Sequence, residues 1–397
     1  MSSGAGTRFL YVTRLPPSPS GVAAYAETFA DVLRALGDVE LVRLPAEPAR
    51  SQSSVRALRL AVALDRAVAR DPGRVVHVEL AGRGVAEFWA AWALARLRGR
   101  RVWLTVHDVP ELSGGAFFTS LLDRRGGRRV AATLSRTVGA AAERSLLSRA
   151  EQVLCLSAAG ARALEHRHGA GVRARAVPHV ARLGDAPARG RREVFVPGYV
   201  ASADDVLPLV RAVGDLPVGW TLTVGACAPD EHERLAREAR RIGVDDRVLL
   251  LGYSSERELT RAFDRAAVVV RWRRGGWARA DEAGAHAVSG PLVAALARGC
   301  AVVTNDSRGL VEVFDEAGVL AVGDGRTGAG DLVRDVLRLV GDEDERVARA
   351  EAGRALARRA HTVAAVAAAV GGGSVPVPGC APAVPGQIGV PGQVGGG

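Results

Sequence analysis

Along the chain, short and nearly unbroken apolar runs alternate with longer stretches in which apolar and charged positions recur at helical spacing. The apolar runs predict strands over 8–12, 74–80, 101–106, 152–156, 173–177, 194–198, 220–225, 247–251, 267–272, 300–303 and 318–322. The periodic stretches predict helices over 22–36, 52–69, 85–98, 130–149, 159–168, 230–242, 256–265 and 291–298. Strands that are apolar throughout belong in parallel sheets covered by helices on both faces, because each face must be buried. The alternation falls into two blocks, expected as domains over 1–185 and 193–365. Between them, the Gly-, Pro- and Arg-rich stretch 181–192 reads as a hinge. Residues 371–397, rich in Gly, Pro and Val without any period, read as a disordered tail.

Length agrees with two domains: 397 residues exceed the roughly 250–300 at which a single core stops growing. The four cysteines, Cys155, Cys227, Cys300 and Cys380, are far apart and form no C-x-x-C pair, so the first three are expected as isolated buried thiols, and the count and spacing suit a reducing compartment. The opening M-S-S-G-A-G-T-R lacks the apolar core of a signal peptide, and no run of about 18 apolar residues exists. A cytoplasmic protein is therefore expected.

Charge changes the picture more. The net charge is +10, and all 53 basic residues are arginine. Without lysine there is neither a P-loop nor a Schiff base. The arginine excess points either to anionic partners or to arginine written by a GC-rich genome on solvated faces. The arginines are dispersed and aromatics make up only 5%, which argues against nucleic acid. Segment 51–71 is apolar on one face and arginine-rich on the other. That fits either packing on a sheet or, at most, peripheral contact with an anionic bilayer.

Four places can carry chemistry. In P-P-S-P-S-G-V-A-A-Y (16–25), Ser20 can cap a helix and Gly21 can let a ligand approach the backbone at a helix start that attracts anions. In T-V-H-D (105–108), His107 follows an apolar strand at its carboxyl end, where an imidazole can hydrogen-bond a substrate hydroxyl and Asp108 can orient it. In H-A-V-S-G-P-L-V-A-A-L-A-R-G (286–299), Ser289 suits the N-cap, Pro291 the first turn and Gly299 the residue after the end. The amides at Ser289 and Gly290 can receive a diphosphate there. The loop before it carries Arg271, Arg273, Arg274 and Arg279, whose guanidinium forks match phosphate oxygens. In S-R-G-L-V-E-V (307–313), Glu312 either meets a donor hydroxyl or is a surface carboxylate. Gly82 and Gly84 fit part of a dinucleotide fingerprint, but Glu87 stands at its third glycine position and excludes it.

These pieces, in this order, resemble the retaining GT-B glycosyltransferases of family 4, the glycogen-synthase and mannosyltransferase type. The resemblance runs through P-S-G-V-A-A-Y, T-V-H-D, C-L-S-A-A-G-A-R-A-L, A-V-P-H-V, V-P-G-Y-V, R-V-L-L-L-G-Y, S-G-P-L-V-A-A-L-A-R-G-C-A-V-V-T-N-D and G-L-V-E-V, roughly residues 8–365. It implies two Rossmann-like, doubly wound parallel-sheet domains facing across a cleft, the first for the acceptor and the second for the donor. It implies a metal-independent enzyme with no cofactor, using a nucleotide-diphosphate sugar as co-substrate and a small-molecule, lipid or glycan acceptor. Gly21 would lie at the donor phosphates, His107 at the sugar, and the amides of Ser289, Gly290 and the turn at Pro291 at the diphosphate. Arg271, Arg273 and Arg279 would add charge, and Glu312 would meet the donor.

The departures are specific. Where the family places Arg and Lys after the first strand of the second domain, this chain has Gly198, Tyr199 and Asp204. Where it places two glutamates eight apart, this chain has His286 and Ala294, with Asp281 or Glu282 as substitutes in the loop. The departures leave two alternatives to a transferase: a catalytically silent partner protein of the same fold, and a nucleotide-sugar epimerase.

Overall fold

The computed structural model describes residues 7–15, 21–44, 54–81, 85–107, 109, 112, 128–169, 171–184, 190–252, 255–274, 286–305, 316–321 and 329–372. The first sheet holds β1 (Thr7–Thr13), β2 (Gly37–Arg43), β3 (Val75–Leu80), β4 (Val102–Val106), β5 (Gln152–Cys155) and β6 (Ala174–Ala176). Its order is β2-β1-β3-β4-β5-β6 and every pairing is parallel. The second holds β7 (Glu193–Val196), β8 (Thr221–Val224), β9 (Val248–Leu250), β10 (Ala266–Arg271), β11 (Ala301–Thr304) and β12 (Leu320–Ala321). It runs β12-β11-β10-β7-β8-β9, again parallel throughout. These are the two doubly wound sheets of the GT-B fold.

Each sheet is buried on both faces, with one apolar cluster per face. That is why the strands read as continuous apolar runs rather than as alternation. In each sheet the chain order reverses once, between β1 and β3 and between β7 and β10. At such a reversal the two following loops part to opposite faces and leave a crevice at the strands' carboxyl ends.

Strand β2 is absent from the sequence expectation. It is an edge strand with alternating exposure, so its apolar content is low. Gly37 opens it because a Cβ there would sit 1.8 Å from the Thr7 carbonyl oxygen. Three late helices, Ala329–Gly341, Glu343–Leu356 and Val363–Val370, also escaped that expectation. The last of them leaves the second sheet and returns to the first, burying Val366, Ala367, Ala369 and Val370 in the cluster that contains Tyr25 and Phe29. Each valine so buried contributes about 1.5–3 kcal/mol, which ties the end of the chain to the first lobe. The expected helix 130–149 is two α-helices, Arg128–Leu134 and Ala140–Leu147, joined by a π-helical turn at Ser135–Gly139.

Cys155, Cys227 and Cys300 are buried free thiols. Among the described residues, no helix is long and apolar enough to cross a membrane. Ser20, Gly82, Gly84, Asp108, Arg279, Asp281, Glu282, Glu312, Cys380 and the tail from 373 onward lie outside the described residues.

Candidate active site

His107 is the first residue after β4, and its amide donates to the Leu80 carbonyl at 3.0 Å, extending the β3–β4 ladder by one bond. The register pairs Glu79 with Thr105, two residues before His107. Side chains two apart in a strand share a face, so His77, Glu79, Thr105 and His107 gather on one side of the sheet. His107 Nε2 lies 2.6 Å from Glu79 Oε2. Tyr11 donates its hydroxyl to Glu79 Oε1 at 2.7 Å, and His77 Nε2 lies 3.5 Å from the same oxygen and 2.8 Å from Thr105 Oγ1. The carboxylate is 1% exposed. Burial alone raises its pKa, but hydrogen bonds from His107 and His77 outweigh that and hold it at about 2.

Tyr25 lies one turn beyond Gly21 on the helix Gly21–Arg34, so the helix start and Tyr25 occupy the same face. The Tyr25 ring stands edge-on to His107 with centroids 4.8 Å apart, and meets His179 at 4.8 Å. Burial, reinforced by the charge of Glu79, raises the Tyr25 phenol well above its usual value, so it stays neutral. Glu87, at the start of the helix Val85–Leu97, is spent on Arg14 at 2.5 Å.

In the second lobe, the helix Gly290–Ala297 begins at the cleft. Pro291 occupies its first turn, and Gly299 follows its end at φ +65°, a conformation glycine adopts without strain. Ser289 stands at the N-cap position, but its side chain caps nothing, which corrects the expected hydroxyl cap. Leu292 and Val293 donate instead to the Ser289 carbonyl, at 3.0 and 3.2 Å. The Ser289 hydroxyl is buried and makes no hydrogen bond. The helix start thus offers amides at Ser289 and Gly290 and an unspent hydroxyl, with the positive end of the helix dipole behind them.

Arg271 closes β10, at the point where the strand order reverses. Its Nη1 lies 3.4 Å from the Cβ position of Gly198 and reaches the Pro197 carbonyl at 3.4 Å. The Pro291 ring lies 3.7 Å from that same Cβ position. Gly198, Arg271 and Pro291 therefore meet at the second crevice. Gly198 adopts φ +82°, and a Cβ on neighbouring Gly225 would fall 2.6 Å from the Gly198 carbonyl oxygen. Arg273 stands further out, exposed, its backbone clamped to Asn305 at 3.0 and 2.8 Å.

Among the departures, Tyr199 is exposed and Asp204 is committed to Arg234 at 2.5 Å. His286 joins the lobes through its backbone: its amide donates to Val109 at 3.2 Å and its carbonyl accepts from Ser157 at 3.0 Å. Ala294 is one turn inside the helix and carries no polar group.

His179, in the connection between the lobes, brings the two halves together. Its Nε2 lies 3.2 Å from where a Cβ on Gly290 would stand, and its ring touches Tyr25 on the other side. Its Nδ1 faces the Val180 carbonyl at 2.9 Å, and His361 Nδ1 faces the His179 carbonyl at 2.7 Å. Burial, with the nearby His107 and His361, lowers His179 to about 3 and keeps it neutral. The contact chain His107–Tyr25–His179–Gly290 thus runs unbroken across the cleft. Glu79, Tyr25 and His179 are absent from the sequence expectation. The legible signal was H-x-E in an apolar strand, two polar residues two apart on a face with no access to water. Among the described residues, no group of three or more His, Cys, Asp or Glu could hold a metal ion.

A two-lobed GT-B protein with its cleft at both strand reversals is the class that fold and site define. Residues 5–180 match the model of the glycosyl transferase 4-like domain, and residues 227–370 that of the glycosyl transferase-like family. The chain carries both glycosyltransferase domains and is an enzyme of the glycosyltransferase class. It is similar in structure to Anabaena Alr3699/HepE in complex with UDP and glucose, at 14% identity and a TM-score of 0.64, covering 92% of this chain and 98% of that one. It is also similar to sucrose-phosphate synthase from Thermosynechococcus elongatus (16% identity, TM-score 0.63, 92% and 98% covered). A third is the UDP-N-acetylglucosamine 2-epimerase-like protein of Listeria monocytogenes (11%, TM-score 0.56, 89% and 94% covered). No curated protein sequence matches the chain.

Proposed function

We propose that the chain transfers a sugar from a nucleoside-diphosphate sugar to an acceptor with retention of anomeric configuration. The observation that carries this reading is the contact chain His107–Tyr25–His179–Gly290, which sets an imidazole and a helix start on opposite walls of one cleft. The diphosphate takes the amides of Ser289 and Gly290, with the Ser289 hydroxyl and the Arg271 guanidinium beside it. The sugar then extends toward His107 and the Gly21 helix start. Arg271 supplies positive charge from a different strand than the family pattern does, and Arg273 lends a second, outer charge.

Negative charge collects on the diphosphate as its bond to the anomeric carbon breaks, and amides, dipole and guanidinium stabilise it. The acceptor oxygen attacks from the leaving-group face. Its proton passes to a diphosphate oxygen, which closes the balance without a metal or a cofactor. His107 holds a sugar hydroxyl, fixing the ring against the cleft wall. The acceptor belongs to the first lobe. There the helix Ser54–Ala69 exposes Leu58 and Val62 beside Arg59 and Arg66, a face suited to a lipid acceptor at an anionic membrane surface.

The test is a panel of UDP-, GDP- and ADP-sugars followed by thermal unfolding and mass spectrometry. A true donor raises the melting temperature and is consumed with release of the nucleoside diphosphate. His107→Ala should lower that consumption about 100–1000-fold, a loss of about 3–4 kcal/mol in transition-state stabilisation. Conversion of one nucleotide sugar into another without acceptor would replace transfer by epimerisation. A panel that shifts nothing would reject both.

A further inference from the structure

We infer that Glu79 is a positioning residue that holds a proton of His107 on Nε2, so that the ring, whenever it carries a single proton, presents its Nδ1 lone pair, an acceptor, to the ligand in the cleft. The inference rests on the reading of His107 as the group that touches the donor sugar. It starts from register. Because Glu79 pairs with Thr105, and His107 lies two residues on, the carboxylate and the imidazole share one face of the sheet. A slip of one residue would point them to opposite faces.

Glu79 Oε2 stands 2.6 Å from His107 Nε2. An ionised carboxylate has no proton to give, so the proton of that contact belongs to Nε2. Its other oxygen is taken by the Tyr11 hydroxyl at 2.7 Å, with His77 at 3.5 Å. At 1% exposure, no water can stand in for any of these partners. The His107 ring itself is 11% exposed, enough for one edge to meet a ligand. With Nε2 engaged, Nδ1 is the remaining nitrogen. In the singly protonated ring it accepts from a sugar hydroxyl and brings no proton of its own into a site where the anomeric carbon gains positive charge.

The arrangement makes an unusual demand on Glu79→Gln. Tyr11 still offers a proton and takes the amide oxygen, which turns the amide NH2 toward His107. Nε2 must then accept, and the ring proton moves to Nδ1. One isosteric change deep in the lobe reverses the polarity of the contact in the cleft.

The experiment is nitrogen-15 NMR of the full chain with labelled histidine, without ligand, together with turnover of UDP-glucose. In the wild type, the His107 signal should report a proton on Nε2, and in Glu79→Gln on Nδ1. Turnover by Glu79→Gln should fall about 10–100-fold in kcat with KM within about twofold. In a His107→Ala background, the same substitution should cost less than about a further twofold, because its effect travels through the ring. A merely structural role would give equal losses in both backgrounds, and that result overturns the assignment. So does a wild-type His107 protonated on Nδ1, a readout that requires no variant to fold. Absence of UDP-glucose turnover in the wild type, with the Nε2 proton in place, would count against UDP-glucose as the donor while leaving the tautomer assignment standing.

Discussion

The two walls of the cleft differ in what organises their polar groups. In the first lobe Glu79 ties the wall together: His107 and Tyr11 both meet it, and His77 Nε2 meets Thr105, while the Tyr25 hydroxyl and His77 Nδ1 make no hydrogen bond. In the second lobe Arg271 reaches the Pro197 carbonyl and Asn305 holds the Arg273 backbone, but the Ser289 hydroxyl is buried without a hydrogen bond, and the amides beside it open a helix that no side chain caps. A satisfied buried network stiffens a wall in advance, whereas an unsatisfied one costs stability until a ligand completes it. The first wall is knit around one buried carboxylate, whereas the second leaves a helix start uncapped.

The largest test of this contrast is Glu79→Ala. It strips two buried donors of their acceptor and leaves a void, and should cost about 3–5 kcal/mol of unfolding free energy by urea titration. A loss below about 1 kcal/mol would dissolve the distinction between the walls.

Acid should separate the groups by pH window. Glu79 has a depressed pKa of about 2 against 4.5 unfolded, so its stabilisation is complete above 4.5 and fades as pH falls from there to about 2. His179 is neutral in the fold, at about 3 against 6.5, so protonation favours the unfolded chain and stability declines as pH falls from 6.5. Each group adds a slope of up to about 1.4 kcal/mol per pH unit. His179→Gln should make the upper window shallower in denaturation curves, with buried His168 and His361 keeping the remainder, and leave the lower one in place.

Arg271→Ala should weaken UDP binding by about tenfold in calorimetry and reduce its salt dependence, with little effect on folding. The smallest effect carries an informative sign. Ser289→Ala removes a buried hydroxyl that has no partner, so it should leave stability unchanged or raise it by about 0.5–1 kcal/mol. The same change should weaken UDP binding about threefold to fivefold. A stable variant with poorer binding is the trade expected where a site is held unsatisfied for a ligand.

Much of this molecule was determined by its sequence alone. Apolar strands alternating with periodic helices prescribe two parallel sheets, because only burial on both faces suits such strands. Positions flanking strand ends, such as His107 and Arg271, and the Ser289–Gly290–Pro291 start were legible too, because crevices form at carboxyl edges and proline and glycine punctuate helices. The edge strand β2 and the returning helix Val363–Val370 were not, since neither has a burial pattern that a window of sequence reveals: one is half exposed, and the other finds its core in the opposite lobe. Tertiary structure alone decided the rest. Glu79 and Thr105 lie 26 positions apart yet meet through register, and His179 and Gly290 meet across two domains. It also decided that Ser289 occupies the cap position without capping. Spacing along a chain fixes which face a residue takes within its own element. Which residues of other elements share that space follows only from how the elements pack.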